Sequence, residues 1–272
     1  MLQVSQLNIY PVKSLGGISK QTVQLCSTGF EYDRRWMLVD EKNVFLSQRT
    51  HPQMVLLHTA QNDDGFIVSK YNDENLSIVI PYVTEAKKKL KVTVWEDICN
   101  AVVVSDEHNE WFSDMLHFKC KLVYMPDDAV RLVDRRYAVN NEITSFSDGY
   151  PVLMIGEATL EHLNNKLKNA LPMNRFRPNL VFTFVHAHIE DEMEKFSIND
   201  INFLGVKPCS RCVMTTINQQ NAETGKEPLK TLSTYRMKDN KIYFGQNVLH
   251  YQNGIINVGD TIDITQQGMP LF

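Results

Sequence analysis

Residues 207–217 read KPCSRCVMTTI and contain two of the five cysteines of this chain, three positions apart. Lys207 and Arg211 place two cations beside the pair, and a nearby cation stabilises the thiolate, which is the form of cysteine that attacks or binds metal. The pattern therefore predicts that at least one of Cys209 and Cys212 is chemically active. The alternative is an inert pair packed among the flanking valines, because free cysteines are often buried.

Structural zinc and dithiol exchange fit this segment less well. Cys26, Cys99 and Cys120 are isolated, so no second Cys-x-x-Cys completes a four-cysteine zinc site. A thioredoxin-like pair is expected at the start of a helix, whereas the β-branched residues 213–217 predict a strand. The cysteine pair is therefore predicted to lie between two strands.

Composition and charge narrow the class of protein. The chain has 272 residues, 43 % of them apolar, which is enough for one large domain or two modest ones with a substantial core. An odd number of scattered cysteines argues against a disulfide framework and predicts a cytoplasmic location. A net charge of −4 supplies no general attraction to nucleic acid. The sequence shows neither a signal peptide nor a run of membrane-spanning length, so a membrane is not a predicted partner either.

Short β-like segments separated by turn residues dominate the chain and predict a mainly β fold with inserted helices, of the α+β class. Strands are predicted at residues 7–12, 22–25, 36–40, 54–60, 66–69, 76–80, 90–95, 180–185, 203–206, 213–217, 242–244 and 255–264. Apolar residues at helical spacing predict helices at residues 107–118 and 157–168. Regular βαβ alternation is missing, which favours barrel-like or sandwiched sheets, with a domain boundary near residues 100–125.

Two charged runs are predicted to be solvated loops. One is the lysine run at residues 87–89 with Lys91, and the other is the acidic run at residues 190–192 with Glu194. A solvated acidic patch is also a surface on which a basic partner, such as an electron donor, can dock.

Four further segments place cations or hydroxyls next to residues that fix the backbone. They are residues 10–14 (Tyr-Pro-Val-Lys-Ser), 32–36 (Tyr-Asp-Arg-Arg-Trp), 147–151 (Ser-Asp-Gly-Tyr-Pro) and 174–179 (Asn-Arg-Phe-Arg-Pro-Asn). Proline fixes φ, so a cation beside it at a strand end has little freedom, which suits an anionic ligand. Taken singly, an arginine of this kind is more often a surface residue. Together with the soft sulfur of the cysteine pair, the four segments predict a ligand that is both polyanionic and thiophilic.

In this order, the segments resemble those of MOSC proteins that carry the MOSC amino-terminal barrel, a group that includes bacterial relatives of the mitochondrial amidoxime-reducing component. The likeness runs nearly end to end and also includes residues 227–232 (Glu-Pro-Leu-Lys-Thr-Leu), Tyr235-Arg236 and residues 258–260 (Val-Gly-Asp). It implies a MOSC β-barrel core at residues 121–272 and an N-terminal β-barrel-like domain at residues 1–120.

The resemblance also implies a molybdenum–molybdopterin cofactor, with Cys212 as the metal ligand and catalytic residue and Cys209 as a neighbour that does not bind the metal. A weaker pair of cofactor-binding candidates is Ser147 and Asp148, because relatives often carry further hydroxyls at the next two positions, where this chain has glycine and tyrosine. By the same correspondence, the cofactor would be held by Lys13, Ser14, Arg34, Arg177 and Asn179.

The activity implied by the resemblance is the reduction of small N-hydroxylated compounds such as amidoximes or hydroxylamines. No cysteine cluster follows Cys212, so two electrons are expected from a separate donor protein that is ferredoxin-like, flavin-containing or similar to a b-type cytochrome. The alternative is a cofactor-binding or persulfide-carrying module, because the MOSC fold also terminates molybdenum-cofactor sulfurases. The near full-length likeness to the reductase-like group favours the enzyme over the carrier.

Overall fold

A computed structural model describes residues 2–83, 88–183 and 186–272. Within them the helices are α1 (Asp106–Leu116), α2 (Glu157–Asn164) and α3 (Leu229–Leu232). The strands are β1 (Val4–Ile9), β2 (Ile18–Lys20), β3 (Thr22–Cys26), β4 (Gly29–Phe30), β5 (Trp36–Val39), β6 (Leu57–Gln61), β7 (Gly65–Lys70), β8 (Asp73–Pro81), β9 (Lys89–Val94), β10 (Asp97–Val103), β11 (Lys121–Tyr124), β12 (Val152–Gly156), β13 (Leu180–Phe182), β14 (Met193–Ile198), β15 (Ile201–Arg211), β16 (Met237–Lys238), β17 (Lys241–His250), β18 (Gly254–Asn257) and β19 (Ile262–Gln267). The predicted mainly β class with inserted helices is confirmed.

One large mixed sheet carries the cysteine segment. Its strand order is β19-β14-β15-β17-β12-β13-β1-β2, with β16 added beside β17. β12 and β13 are parallel, whereas β1 pairs antiparallel with β13 and places Leu7 opposite Leu180. The first strand of the chain is therefore part of the same sheet as β15, which ends at the cysteine pair.

The other strands form smaller antiparallel sheets with the orders β5-β11-β10-β9, β6-β7-β8 and β18-β3-β4. The β18–β3 pair, like the β1–β13 pair, joins residues on opposite sides of the predicted boundary at residue 120. The largest apolar cluster also crosses it, since Trp36 and Phe112 belong to the same cluster as Leu180 and Phe203. Continuous burial of apolar surface stabilises this arrangement, and it fixes the loops after β1 and before β5 beside the end of β15.

The strand predicted at residues 213–217 is wrong. Val213–Thr216 is a 3₁₀ turn, in which Thr215 Oγ1 donates to the carbonyl oxygen of Cys212 at 3.0 Å and Thr216 Oγ1 to that of Val213 at 2.8 Å. Threonine hydroxyls that bond nearby carbonyls favour turns over sheet ladders. A 3₁₀ turn, Pro52–Leu56, likewise replaces the first part of the strand predicted at residues 54–60. Of the strand predicted at 180–185, Phe184 and Val185 lie outside the described residues.

Both charged runs differ in part from the prediction. Lys88, Lys89 and Lys91 are exposed as predicted, but Lys89 and Lys91 lie on β9 and not in a loop, while Lys87 is outside the described residues. The acidic run is buried at its first residue, because Glu190 is 0 % exposed and accepts hydrogen bonds from Thr159 Oγ1 at 2.8 Å and from the Gly156 amide at 3.3 Å. Burial raises the pKa of Glu190 to about 7. Glu190 and Asp191 therefore belong to the interior, whereas Glu192 and Glu194 are partly exposed.

We expect Glu190 to make the folded state less stable as pH rises from about 5 to about 8. A carboxyl with a folded pKa of about 7 and an ordinary unfolded pKa binds its proton more tightly in the native state, so its contribution to stability is present at low pH and lost as pH rises through that window. The glutamine of Glu190→Gln cannot ionise. Relative to the wild type, the free energy of unfolding of this variant should therefore rise by up to about 3 kcal/mol between pH 5 and pH 8.

Urea unfolding of both proteins at the two pH values measures this difference. Glu110→Gln, on the exposed side of α1, is the matched control and should show no such pH dependence. A constant difference between Glu190→Gln and wild type at both pH values would contradict the assignment.

Among the described residues, no helix is both long and apolar enough to cross a membrane. The cytoplasmic location stays a prediction.

Candidate functional site

The predicted site residues come from loops that meet in one cavity. The loops follow β1, precede β5, precede β12 and β13, and follow β15. Backbone hydrogen bonds join them, from Lys13 N to Trp36 O at 2.8 Å and from Phe146 N to Arg34 O at 3.0 Å. The cavity has a volume of 370 Å³, and the predicted residues that line it are Lys13, Ser14, Arg34, Ser147, Asp148, Arg177, Asn179 and Cys212. All eight candidates are thus neighbours in space.

The cavity is strongly basic. Among the described residues that line it, Asp148 is the single carboxylate. The cations that line it are Lys13, Arg34, Arg49, Arg175, Arg177, Lys207 and Arg211. A concave surface with this excess of one charge attracts and concentrates anions.

Three of the predicted residues have left-handed backbone conformations. The φ angles of Ser14, Arg34 and Arg177 are 69°, 50° and 55°. Such a conformation costs a residue other than glycine about 1–3 kcal/mol, and it persists where the surrounding structure requires it, often at functional sites. In each of the three loops, the residue with the strained backbone is the one whose side chain lines the cavity.

Arg34 and Arg177 both stack on the ring of Tyr10. Their guanidinium carbons lie 4.3 and 4.1 Å from the ring centre. Arg34 also donates from Nη1 to Asp33 Oδ2 at 2.6 Å and to Asn179 Oδ1 at 3.0 Å. These contacts hold the Arg34 guanidinium plane in one orientation, as bidentate recognition of an oxyanion requires.

Arg177 is a buried cation that forms no ion pair with a carboxylate of the described residues, although Asp33 and Asp148 attract it from a greater distance. It is 8 % exposed, and its Nη1 donates to the Leu15 carbonyl oxygen at 2.6 Å. Burial lowers the pKa of Arg177 to about 10. A buried charge is stable when it is paired, so an anionic ligand in the cavity would stabilise this guanidinium.

Lys13 and Asp148 form an ion pair at the cavity wall. Lys13 Nζ donates to Asp148 Oδ1 at 2.6 Å and to the Phe146 carbonyl oxygen at 2.8 Å. Burial lowers the pKa of Lys13 to about 8 against the opposing attraction of Asp148. Desolvation raises the pKa of Asp148, but the Lys13 ammonium outweighs it and holds that pKa well below its usual range. The neighbouring Ser147 hydroxyl donates to the Tyr150 carbonyl oxygen at 2.8 Å, so it is already engaged.

Both thiols of the cysteine pair line the cavity, and each accepts an N–H from an arginine. Arg49 Nε lies 3.1 Å from Cys212 Sγ, and Arg211 Nη1 lies 3.0 Å from Cys209 Sγ. The pair is not buried among valines, because both cysteines are partly exposed and Val213 is 52 % exposed. The chemical activity of the pair stays a prediction.

Metal ligands other than the thiols are scarce in this region. Across residues 2–83, 88–183 and 186–272, no group of three or more His, Cys, Asp or Glu side chains is placed to hold a metal ion.

Arg49 and Trp95 are among the side chains of the site that sequence reasoning missed. Arg49 lies in the turn at residues 48–50, and no motif marks it. Trp95 lines the cavity from the β9–β10 hairpin and has a φ of 56°. The sequence predicted Trp95 as the last residue of the strand at residues 90–95, so it gave no signal of the turn in which Trp95 lies.

Comparison with known proteins gives two family matches and several relatives that align with nearly the whole of this chain. The family described as MOSC N-terminal beta barrel domain matches residues 1–119, and the MOSC domain matches residues 141–263. Mitochondrial amidoxime-reducing component 1 of Mus musculus is 29 % identical and covers 97 % of this chain and 82 % of its own length. Mitochondrial amidoxime reducing component 2 of Bos taurus is 29 % identical, with 95 % and 82 % covered. Molybdenum cofactor sulfurase of Oryza sativa subsp. japonica is also 29 % identical over 96 % of this chain, but the match spans 34 % of that protein.

Proposed function

Since this chain is a MOSC protein with a MOSC N-terminal beta barrel domain, we propose that it binds the molybdenum cofactor and reduces small N-hydroxylated compounds. The resemblance read from the motifs is confirmed, and so is the fold that it implied. The exact division at residue 120 stays a prediction. Relatives named as amidoxime-reducing components align with nearly the whole chain, which supports a reductase.

The proposal depends on one observation, which is that a single cavity combines the Cys212 thiol with seven cations. The pterin phosphate is a hard anion that suits guanidinium and ammonium groups, whereas molybdenum suits a soft thiolate. Arg177, buried without a carboxylate partner among the described residues, gains its counter-ion when phosphate is bound. The volume of 370 Å³ lies within the usual range for small-molecule sites, about 300–1,000 Å³. The residues present therefore fit the cofactor.

We assign the cofactor contacts as follows. Cys212 provides the thiolate ligand, and Arg34, Arg177 and Lys13 contact phosphate oxygens. Ser14 and Asn179 orient the cofactor as neutral hydrogen-bonding groups. Asp148 would repel an anion, so its part is to hold the Lys13 ammonium in place, and the Ser147 segment would contribute backbone amides because its hydroxyl is engaged.

When bound, the molybdenum centre supplies two-electron redox chemistry that removes oxygen from the substrate. The balanced reaction converts an N-hydroxyl group, two electrons and two protons into an N–H group and water. The protein orients the cofactor and keeps the cavity electropositive. The isolated cysteines Cys26, Cys99 and Cys120 offer no group for an iron–sulfur cluster, so we propose that a separate redox protein, with a ferredoxin, flavin or b-type cytochrome centre, donates the electrons.

A second candidate function is a cofactor-binding or persulfide-carrying module. Two observations favour it. Identity to the plant sulfurase equals that to the mouse amidoxime-reducing component, and a second thiol, Cys209, lies in the cavity with its own arginine N–H.

Protein made in a host that synthesises the cofactor should contain about one molybdenum per chain, because the cavity provides both thiolate and phosphate contacts. It should also reduce benzamidoxime to benzamidine with a reduced viologen dye as electron donor. Metal analysis and product chromatography measure the two results. Metal-free protein that carries cyanide-labile sulfur would instead favour the carrier, and protein with neither property would refute both functions.

A further inference from the structure

Arg49 connects the N-terminal half of the chain to the thiol of Cys212. Its Nε donates to Cys212 Sγ at 3.1 Å, and its guanidinium carbon lies 4.1 Å from the ring centre of Trp95. Its Nη2 is 4.0 Å from Asp148 Oδ2, and the side chain is 27 % exposed. An aromatic face, a carboxylate and a thiol therefore surround one guanidinium, which restricts it to one orientation.

The position of Trp95 is itself strongly constrained. Its φ of 56° is unusual for a bulky residue, and its ring packs 4.6 Å from the ring centre of Phe45. Its indole N–H is also directed at Asp148 Oδ1, at 3.4 Å. Strain of this kind persists where the surroundings require it. Here it places the indole ring under the Arg49 guanidinium.

A guanidinium N–H that donates to a ligand sulfur alters the metal bound there. Arginine remains charged at all relevant pH values, so it always withdraws electron density from the thiolate. Hydrogen bonds to ligand sulfurs help to set reduction potentials in thiolate-bound metal centres. A sulfur that donates less charge to the metal stabilises the reduced metal relative to the oxidised metal. This raises the reduction potential of the metal. Partners of metal ligands also fix ligand orientation.

We propose that Arg49 is a positioning residue that holds the sulfur of Cys212 and raises the reduction potential of the metal bound to it. This inference rests on the proposed function, because it needs a redox metal at Cys212. It assigns the N-terminal half of the chain a part in the chemistry, in addition to cofactor binding.

The test compares holoenzyme of Arg49→Met, Arg49→Lys and Arg35→Met with the wild type. Arg35 is the matched control because it is also a partly buried arginine stacked on an aromatic ring, that of Tyr124 at 5.1 Å, but it lies outside the cavity. A redox titration followed by electron paramagnetic resonance should give a lower potential for Arg49→Met and partial recovery for Arg49→Lys. The kcat for benzamidoxime should fall about tenfold, the lower end of the effect expected for a partner of a metal ligand, with KM unchanged. An unchanged potential in Arg49→Met, or an equal shift in Arg35→Met, would overturn the inference.

A second measurement uses the cofactor-free protein and does not depend on turnover. In nitrogen-15 spectra, the Arg49 Nε–H signal should exchange slowly with water and should shift in Cys212→Ala. An Arg49 Nε–H signal at the same position in the wild type and in Cys212→Ala would show that the contact is absent and would refute the positioning role. Failure of the proposed function is seen separately, as missing molybdenum in the wild-type protein.

Discussion

Cys212→Ser is expected to lose molybdenum and turnover, whereas Cys209→Ser keeps most of both. A serine hydroxyl remains protonated at neutral pH and is a hard donor, so it replaces a thiolate ligand poorly. Loss of even a partner of a metal ligand costs about 10–100-fold in metal affinity, and loss of the ligand should cost at least that. Metal analysis of both purified variants and their rates with benzamidoxime measure the effect.

The two variants are well matched. Both thiols line the cavity, both are partly exposed, and each accepts an arginine N–H at about the same distance. Each variant replaces one Sγ by an oxygen atom, and the two positions are three residues apart. A general disturbance of the cavity would therefore affect both variants alike. Equal losses of molybdenum from Cys212→Ser and Cys209→Ser would therefore contradict the ligand assignment.

Local signals in the sequence were sufficient to find most of the cavity. Lys13, Arg34 and Arg177 each lie at a strand end within a short segment in which neighbouring residues restrict the backbone. Strand prediction succeeded for the same reason at residues 22–25, where apolar residues alternate, and at residues 66–69, where three apolar residues follow one another; these segments match β3 and β7. Both kinds of signal are contained within a few residues.

The features that were missed depend on partners far away in the chain. Arg49 and Cys212 are in contact although they are 163 positions apart in the sequence. No pattern near Arg49 in the sequence predicts that contact. The acidic run was read as a solvated loop because its composition is charged, yet Asp191 is paired with Arg236, 45 positions away, at 2.6 Å. Tertiary contacts of this length override what composition indicates.

Local chemistry also misled where two preferences compete. The residues after Cys212 are β-branched and favour a strand by propensity, but their hydroxyls bond the backbone and stabilise a turn instead. The left-handed φ of Arg34 and Arg177 was equally invisible, because no sequence rule predicts that conformation for arginine. Sequence rules thus identified residues that line one cavity but did not predict their backbone geometry.

Arg177→Met is expected to lower cofactor content about 10–100-fold with little effect on folding. A hydrogen bond to a charged group contributes about 1.5–3 kcal/mol, which corresponds to that range in affinity. Without cofactor, the Arg177→Met variant lacks the hydrogen bond to the Leu15 carbonyl oxygen and the stacking on Tyr10, which destabilises it. The variant also lacks a buried charge that forms no ion pair with a carboxylate in the described part of the chain, which stabilises it. We therefore expect its free energy of unfolding to change by no more than about 2 kcal/mol. Lys13→Met should likewise lower cofactor content.

Arg236→Met is the matched control, with the same substitution at another buried arginine. Its side chain is 3 % exposed and pairs with Asp191, which is 1 % exposed, outside the cavity. Removing it leaves a buried carboxylate without its partner, which costs about 3–5 kcal/mol. Molybdenum per folded chain should then stay at the wild-type level while urea unfolding shifts to lower concentration. The two variants thus distinguish a cation that binds a ligand from a cation that stabilises the fold. An unchanged molybdenum content in Arg177→Met would show that Arg177 is not part of the cofactor site.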